Sequence, residues 1–146
     1  MIHLEDINET NWRASFALEV SENQKNYVSD SGKLLARAYA YRGKRSRAFL
    51  IVHGEIPVGM GLYYDEPELE TYDFSQIFID VSYQGLGYGQ EAVRLVLDEM
   101  KKDERYKKVI LCYIEGNDIA KKLYEKFGFV ETDRDEDEII MELQLI

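Results

Sequence analysis

The amino-acid sequence predicts a mixed α/β fold in which helices flank one largely antiparallel sheet. Seven segments have the apolar content or the alternating pattern of strands, and four have apolar residues at helical spacing. The predicted order is β-α-α-β-β-β-α-β-α-β-β. Because strands outnumber helices and several strands follow one another directly, a regular doubly wound sheet is excluded.

The N-terminal part begins with a half-buried strand that two helices follow. Residues 2–7 alternate apolar and polar side chains, as a strand with one face on a core does. Thr10 or Asn11 can cap a helix that continues to Val20, and a second helix is predicted for 31–41.

Three more strands are predicted for the centre of the chain. Residues 47–54 and 56–64 have the pattern of two strands joined by a turn, and 74–81 that of a third, central strand. The acidic stretch 65–73 is predicted to be a loop. A segment with three glycines then leads into a helix that ends near Lys102.

The C-terminal part contributes a strand, a helix and a final pair of strands. Residues 107–114 predict a buried strand that holds Cys112 in the core, and 117–127 predict a helix. Residues 129–133 and 138–145 complete the sheet. All 146 residues are expected to form one domain.

The composition restricts the function. There are 28 acidic and 18 basic residues and a net charge of −10, which argues against nucleic acid and is compatible with a cationic substrate. Solubility alone is the simpler explanation. No apolar run approaches the roughly 20 residues of a membrane span, and the N-terminus lacks the pattern of a secretory signal. Because a secretory signal is not seen and a single cysteine allows no intrachain disulfide, we expect a cytoplasmic protein. The cysteine and the two histidines do not have the spacing of metal ligands, so we expect no metal site.

Gly85, Gly87 and Gly89 separate a predicted strand from a predicted helix. A turn of this kind leaves backbone N–H groups unpaired at the positive end of the helix dipole, which favours a phosphate group. The spacing G-x-G-x-G matches neither the dinucleotide-binding fingerprint nor the phosphate-loop pattern. The glycines by themselves therefore leave a purely structural turn as an alternative.

Two separated motifs resemble those of the GCN5-related N-acetyltransferase superfamily. Residues 81–89, VSYQGLGYG, match its Q/R-x-x-G-x-G/A signature from Gln84 onward, with Leu86 where many members have a basic residue. The second half agrees, with the strand VILCYI, then Asn117, then a helix that carries Tyr124. The resemblance covers nearly the whole chain and implies the fold of that superfamily, with a splayed strand pair and about four helices.

The resemblance implies that acetyl-CoA lies in a cleft where the fourth strand splays away from the fifth. Ile79 and Val81 would pair with the pantetheine arm like an added strand. Asn117 would contact the cofactor, and Lys122 or Lys126 would reach its 3′-phosphate unless both are ordinary solvated lysines. The positions expected to hold the pyrophosphate, largely through backbone amides, are Gln84, Gly85, Leu86, Gly87, Tyr88, Gly89 and Gln90.

The same resemblance implies direct attack of an amine on the thioester, with Tyr124 as the general acid that protonates the leaving thiolate. Helical periodicity alone would place Tyr124 in the core. The N–H near Val81 is the expected oxyanion donor. Asp80 and Glu22 are candidates for the base or for an anchor of the amine, with surface solvation as the alternative. Asp73 belongs to an acidic stretch that could extend the amine site, although loops are commonly acidic.

Residues 21–28 and 78–89 resemble the bacterial spermine/spermidine acetyltransferases within this superfamily. We therefore expect an N-acetyltransferase that transfers the acetyl group of acetyl-CoA to a small cationic amine, most plausibly a polyamine, in a ternary complex. The alternatives are a protein or peptide N-acetyltransferase and a non-catalytic acetyl-CoA-binding module. A homodimer is expected from the family alone.

Overall fold

A mixed sheet of seven strands forms the centre of the computed structural model, which describes residues 1–27 and 30–145. The strands are β1 (Ile2–Asp6), β2 (Arg47–His53), β3 (Ile56–Glu66), β4 (Thr71–Ile79), β5 (Lys108–Ile114), β6 (Val130–Asp135) and β7 (Glu138–Gln144). Their order across the sheet is β1-β2-β3-β4-β5-β7-β6. Neighbouring strands are antiparallel except β4 and β5, which are parallel. The predicted fold class is confirmed. Val28, the last residue of the segment 21–28, lies outside the described residues.

Four α-helices accompany the sheet within the described ranges. They are α1 (Trp12–Ser15), α2 (Ser31–Ala40), α3 (Tyr88–Asp103) and α4 (Asp118–Lys126). Asp30 caps α2, because its carboxylate accepts the N–H of Lys33 at 2.8 Å. None of the helices in the described part of the chain combines the length and apolar composition that a membrane span needs.

The helices divide the hydrophobic core between the two faces of the sheet. Val93 and Val96 of α3 are fully buried in one cluster with Tyr72 of β4, and α4 joins this cluster through Tyr124. On the opposite face, the buried Leu34 of α2 belongs to a second cluster with residues of β2 and β3. The α3–α4 side and the α2 side of the sheet are therefore built on separate cores.

The two central parallel strands separate soon after they meet. β4 pairs with β3 along most of its length, but in the described residues it pairs with β5 only at Tyr72 and Asp73. Between Leu62 and Tyr64 the β3–β4 register shifts, so that two residues of β4 oppose one of β3. Such a β-bulge bends its strand. Beyond Asp73 the edge of β4 is consequently open toward β5, which is the predicted splay.

Two predicted elements differ in the structure. The first helix ends at Ser15 instead of Val20, and the chain continues in turns whose N–H groups bond three residues back. Leu18 is thereby buried in the cluster around Leu34. The burial of Leu18 thus determines the path of the chain here, although the sequence has the apolar spacing of a longer helix. Cys112, predicted to lie in the core, is exposed. It lies on the face of β5 opposite to the buried Val109, Leu111 and Tyr113.

The acidic stretch 65–73 is mostly strand, not loop. β3 continues through Glu66 and β4 begins at Thr71, so that only residues 67–70 connect them. Asp65 is 4% exposed and pairs with Arg45 at 2.6 Å and with Arg105 at 3.4 Å. The acidic composition thus comes partly from a buried, paired carboxylate, which the sequence cannot distinguish from a solvated one.

Candidate functional site

A cavity of about 530 Å³ lies at the splay between β4 and β5. The end of β4 contributes Ile77 and Ile79 to its wall, and α4 contributes Tyr124. Asn117 lines it from the turn that precedes α4. The connection between β4 and α3, together with the first turn of α3, supplies the predicted positions Gln84, Gly85, Gly87, Tyr88, Gly89 and Gln90. Most of the predicted site residues therefore surround one volume.

The open edge of β4 presents main-chain hydrogen-bonding groups to the cavity. The N–H of Asp80 donates to the carbonyl of Val58 in β3 at 2.7 Å. Alternate residues of a strand bond to the same neighbouring strand. The main-chain N–H and C=O groups of Ile77 and Ile79 therefore point away from β3, to the edge that faces β5. The side-chain amide of Gln84 donates to the carbonyl of Ile79 at 3.0 Å, which shows that this carbonyl faces the open side.

The turn into α3 offers a second set of donors. Gly85 and Gly87 have φ of 79° and 84°, which only glycine adopts without strain. Gly87 precedes α3 without a side-chain cap, and the first helical bond runs from the N–H of Glu91 to Gly87 at 3.2 Å. The N–H groups of Tyr88, Gly89 and Gln90 are thus left without helical acceptors, and the helix dipole makes this end attractive to an anion.

The surroundings of this turn suit a phosphate group. A Cβ at Gly85 or Gly87 would meet no atom within 4 Å, so the space above the turn is open. Lys122 and Lys126 of α4 line the same cavity. Leu86, in contrast, is 60% exposed and does not line it. Positive charge near the turn therefore comes from the lysines of α4 and from the dipole of α3, and not from a side chain at position 86.

Asn117 connects the cavity to the start of α4. It is 6% exposed, and its side-chain oxygen caps the helix by accepting the N–H of Ala120 at 3.3 Å. A capping oxygen leaves the amide NH₂ of the same side chain as a donor. The cap fixes α4 and with it the position of Tyr124.

Tyr124 belongs both to the core and to the cavity. It is 6% exposed, and its ring lies 5.8–6.5 Å from those of Phe74, Tyr113 and Phe129. No hydrogen bond of its hydroxyl exists among the described residues, yet no described buried polar atom lacks a partner. The hydroxyl must therefore open onto the cavity. Burial, and secondarily the nearby Cys112, raises the pKa of Tyr124, so that it keeps its proton at neutral pH.

Val81 does not take the position that was predicted for it. β4 ends at Ile79, and Val81 begins a short 3₁₀ helix that Asp80 caps. The N–H of Val81 donates to the carbonyl of Glu19 at 2.8 Å, so it is engaged by a neighbouring segment. Val81 does not line the cavity. Of the two strand residues expected at the open edge, only Ile79 presents its main chain there.

Asp80 and Glu22 are also placed away from the cavity wall. Asp80 is 7% exposed, and its two carboxylate oxygens accept the N–H groups of Glu19 and Ser82, each at 2.9 Å. The side chain of Glu22 is 88% exposed and pairs with Lys25 at 2.7 Å. The structure therefore corrects the expectation that either carboxylate faces the reacting amine. Asp80 is occupied by backbone donors, and Glu22 extends into solvent.

Asp73 is the carboxylate that the structure places at the splay. It is the last residue of β4 to pair with β5, opposite Ile110. Burial and the neighbouring Glu66 carboxylate raise the pKa of Asp73 to about 6. Sequence reasoning had placed Asp73 in a loop. The alternation of Tyr72, Asp73 and Phe74 was the signal that could have indicated a strand.

Cys112 lies within electrostatic reach of both Asp73 and Tyr124. Although Cys112 is exposed as a residue, partial desolvation of its sulfur and the nearby Glu138 and Asp73 carboxylates raise the pKa of the thiol. Cys112 in turn contributes to the raised pKa of Tyr124. Among the described residues, no group of three or more His, Cys, Asp and Glu side chains is arranged to hold a metal ion.

Comparison with known proteins identifies the class to which this site belongs. The family model described as the acetyltransferase (GNAT) family matches residues 4–129. The chain therefore belongs to this family and is an N-acetyltransferase, as the sequence predicted. It is 27% identical over 134 residues to the spermine/spermidine N(1)-acetyltransferase of Bacillus subtilis (strain 168), covering 88% of this chain and 87% of the relative.

Solved structures show the same fold. The spermidine N-acetyltransferase from Vibrio cholerae, in complex with CoA and spermine, has a TM-score of 0.78 at 20% identity, over 99% of this chain and 95% of that one. The ribosomal-protein-S18-alanine N-acetyltransferase from Escherichia coli has a TM-score of 0.76 at 20% identity, over 99% and 94%. At these identities the likeness concerns the fold, and the acceptor must be argued from this chain's own site.

Proposed function

We propose that this enzyme transfers the acetyl group of acetyl-CoA to a primary amine of a polyamine, such as spermidine or spermine, by direct attack in a ternary complex. The observation that carries the proposal is the cavity itself. It joins an open strand edge, an uncapped helix N-terminus and the hydroxyl of a buried tyrosine. These three features match the three parts of the cofactor: an amide-containing arm, a pyrophosphate and a thioester.

The cofactor's arm and phosphates have separate partners in this site. The main chain of Ile77 and Ile79 can pair with the amide groups of the arm, as an added strand pairs with a sheet edge. The N–H groups of Tyr88, Gly89 and Gln90 can hold the pyrophosphate. Asn117 offers its free amide donor, and Lys122 and Lys126 supply the positive charge that the remaining phosphate attracts. Because Gln84 occupies the carbonyl of Ile79 in this structure, its amide must move when the arm binds.

Acetyl-CoA supplies the reactive thioester, and the protein orients it. The N–H of Ile79 points away from β3 toward the cavity, and it would bind the carbonyl oxygen as that oxygen gains negative charge. Tyr124 can then donate its proton to the leaving sulfur. A thiol has a reference pKa of about 8.5 and a tyrosine about 10. Burial raises the pKa of Tyr124, so the hydroxyl still carries its proton when the thiolate forms.

The amine must lose a proton before it attacks, because a polyamine nitrogen with a pKa near 10 arrives mostly charged. We propose Asp73 as the base for this proton, because it lies where β4 and β5 separate. Like Asp80 and Glu22 it does not line the cavity, so the proton would reach it through water. With a pKa raised to about 6, its carboxyl is still largely ionised at neutral pH, so it attracts an ammonium. It is also a better proton acceptor than an ordinary aspartate with a pKa of about 3.9.

The polyamine assignment has two further supports. The curated relatives are named as spermine/spermidine acetyltransferases, and the Vibrio cholerae enzyme was solved with spermine. The net charge of −10 favours an acceptor with several positive charges over a neutral or anionic one.

A thiol-release assay with a panel of acceptors tests the proposal. The panel contains spermine, spermidine, a diamine, a monoamine of matching length, an aminoglycoside and an alanine-terminated peptide. We expect polyamines to exceed the monoamine in kcat/KM by about tenfold or more, as one additional charge interaction provides. Equal rates for the peptide would instead assign a protein N-acetyltransferase. Binding of CoA without thiol release for any acceptor would assign a non-catalytic binding module.

A further inference from the structure

The segment between α1 and α2 crosses the splay and is held at its two ends. We define residues 19–27 as the strap. At one end, both main-chain groups of Glu19 bond to the residues that follow β4. Its N–H donates to Oδ2 of Asp80 at 2.9 Å, and its carbonyl accepts the N–H of Val81 at 2.8 Å. At the other end, Tyr27 lies against Gly116 in the turn after β5, where an added Cβ would be 3.0 Å from the tyrosine oxygen.

The middle of the strap forms part of the cavity wall. Val20 and Gln24 line the cavity opposite α4. The bonds within this part are local, such as Gln24 N–H to Ser21 at 2.9 Å and Tyr27 N–H to Gln24 at 2.9 Å. Bonds of this range do not set the distance between the strap and the splayed strands. That distance depends on the two ends and on the packing of Val20 against the cluster around Leu34.

The carboxylate of Asp80 bonds to the main chain of two segments that are distant in sequence. It is 7% exposed, one oxygen caps the turn through Ser82 N–H, and the other bonds a residue 61 positions away. It therefore joins the end of the cofactor-binding strand to the start of the strap. An ionised carboxylate that accepts two backbone N–H groups forms stronger bonds than a neutral acceptor does.

We propose that Asp80 is a positioning residue for the acceptor amine: it holds the strap against the end of β4, so that Val20 and Gln24 form a fixed wall of the amine site, without itself touching the substrate. This inference rests on the proposed function. Val20 would contact the methylene chain of the amine, and the amide of Gln24 would bind one of its nitrogens.

Asp80→Asn tests the inference because it changes one anchor and keeps the other. Asparagine retains an oxygen that caps Ser82, but it turns an NH₂ group toward the N–H of Glu19. We expect the KM for the amine to rise about fivefold or more, as loss of a charge-assisted hydrogen bond would cause. Both kcat and the CoA Kd should stay within about twofold. Trypsin should cleave after Lys25, in the exposed part of the strap, about fivefold faster.

Two further variants make the result decisive. Tyr27→Ala removes the other anchor and should raise both the amine KM and the cleavage rate in the same direction. Asp133→Asn is the matched control, an exposed aspartate of β6 that also accepts a backbone N–H, at 2.8 Å, and has no bond to the strap among the described residues. This control should change neither the amine KM nor the rate of cleavage after Lys25.

The measurements also separate this inference from the polyamine assignment. Unchanged cleavage after Lys25 in Asp80→Asn overturns the anchoring role, whatever the amine kinetics. A fall in kcat with loss of an ionisation from the pH profile, at constant KM, overturns it in favour of a general base. If the parent enzyme acetylates peptides and not polyamines, the proposed acceptor fails, while faster cleavage in both strap variants still supports the anchor.

Discussion

At the scale of single residues, Tyr124 belongs to both surroundings that the sequence presented as alternatives, the core and the cavity. Its ring packs against Phe74, Tyr113 and Phe129, while its hydroxyl opens onto the cavity. A general acid gains from this arrangement, because a ring fixed by packing holds its proton at a constant position. The same burial raises the pKa of Tyr124 and keeps the hydroxyl protonated until a thiolate forms.

Tyr124→Phe should therefore separate packing from proton transfer. The ring contacts remain, and only the hydroxyl is lost. Since general acid catalysis contributes about 10²–10⁴-fold, kcat should fall by at least about tenfold, with CoA affinity nearly unchanged. Tyr113→Phe, in the neighbouring buried ring, is the matched control and should keep the parental kcat. A variant at position 124 that turns over at the parental rate would reduce Tyr124 to a core residue.

Asp73 should be visible in the pH dependence of catalysis. Its pKa is raised to about 6, so the carboxyl loses its proton, and becomes able to accept one, as the pH rises through that value. In the parent enzyme kcat/KM should therefore increase across pH 5–7. In Asp73→Asn this limb should disappear and kcat/KM should be lower throughout. Glu68→Gln, an exposed carboxylate in the β3–β4 connection, should leave the profile intact. An unchanged limb in Asp73→Asn would assign the ionisation to another group.

At the scale of elements, the site depends on how β4 ends and α3 begins. The bulge opens the edge of β4, and two glycines with positive φ bring three free N–H groups to the same cavity. A strand edge and a helix end are otherwise unrelated sources of hydrogen-bond donors. Here a connection of eight residues, 80–87, places both on one cavity. Side chains contribute little to this part of the site, which is why Leu86 can stand where a basic residue is common.

Gly87→Ala tests the helix end. The new Cβ would meet no protein atom within 4 Å, so its effects are backbone strain at φ 84° and obstruction of the space above the turn. We expect CoA affinity to fall by about tenfold, or about 1.4 kcal/mol. Gly54→Ala introduces the same kind of strain, at φ 64° with no atom within 4 Å, in the turn between β2 and β3. Calorimetry on both variants isolates the cofactor effect, and equal CoA affinities would disprove this location for the phosphates.

At the scale of the whole molecule, the acidic residues are not equivalent. Some are structural: Arg45 binds both Asp65 and Asp103, and so ties β3 to the end of α3. Arg47 similarly joins β2 to Glu99 of α3. Such carboxylates are neutralised by partners, whereas exposed ones contribute to the net charge of −10 that an incoming cation meets.

The polyamine preference should consequently depend on salt. Exposed charges are screened beyond about 8–10 Å at physiological ionic strength. The kcat/KM advantage of spermidine over a monoamine of equal length should thus shrink as salt is raised from low to physiological levels. The monoamine itself serves as the control, because its smaller charge gives it a weaker salt dependence. A preference that does not respond to salt would point to shape instead of charge as its origin.

The local features of the fold and of the cofactor site could be predicted from the sequence. The element order, the glycine turn after β4 and the helix that carries Tyr124 all follow from residues close together in the chain. Period-two and helical patterns depend on neighbours a few positions apart, and a turn or cap depends on its own residues. Where packing competed with these patterns, as at the end of α1 and in 65–73, the sequence prediction was wrong.

The amine side of the site was decided by tertiary structure. Asp80, Val81 and Glu22 have sequence contexts that suit catalysis, but the first two bond to Glu19, about sixty positions away, and the third extends into solvent. Asp73 becomes a candidate base only because burial and Glu66 raise its pKa. The direction of a backbone N–H and the solvation of a carboxylate depend on which distant segment packs beside them, and no local pattern encodes that contact.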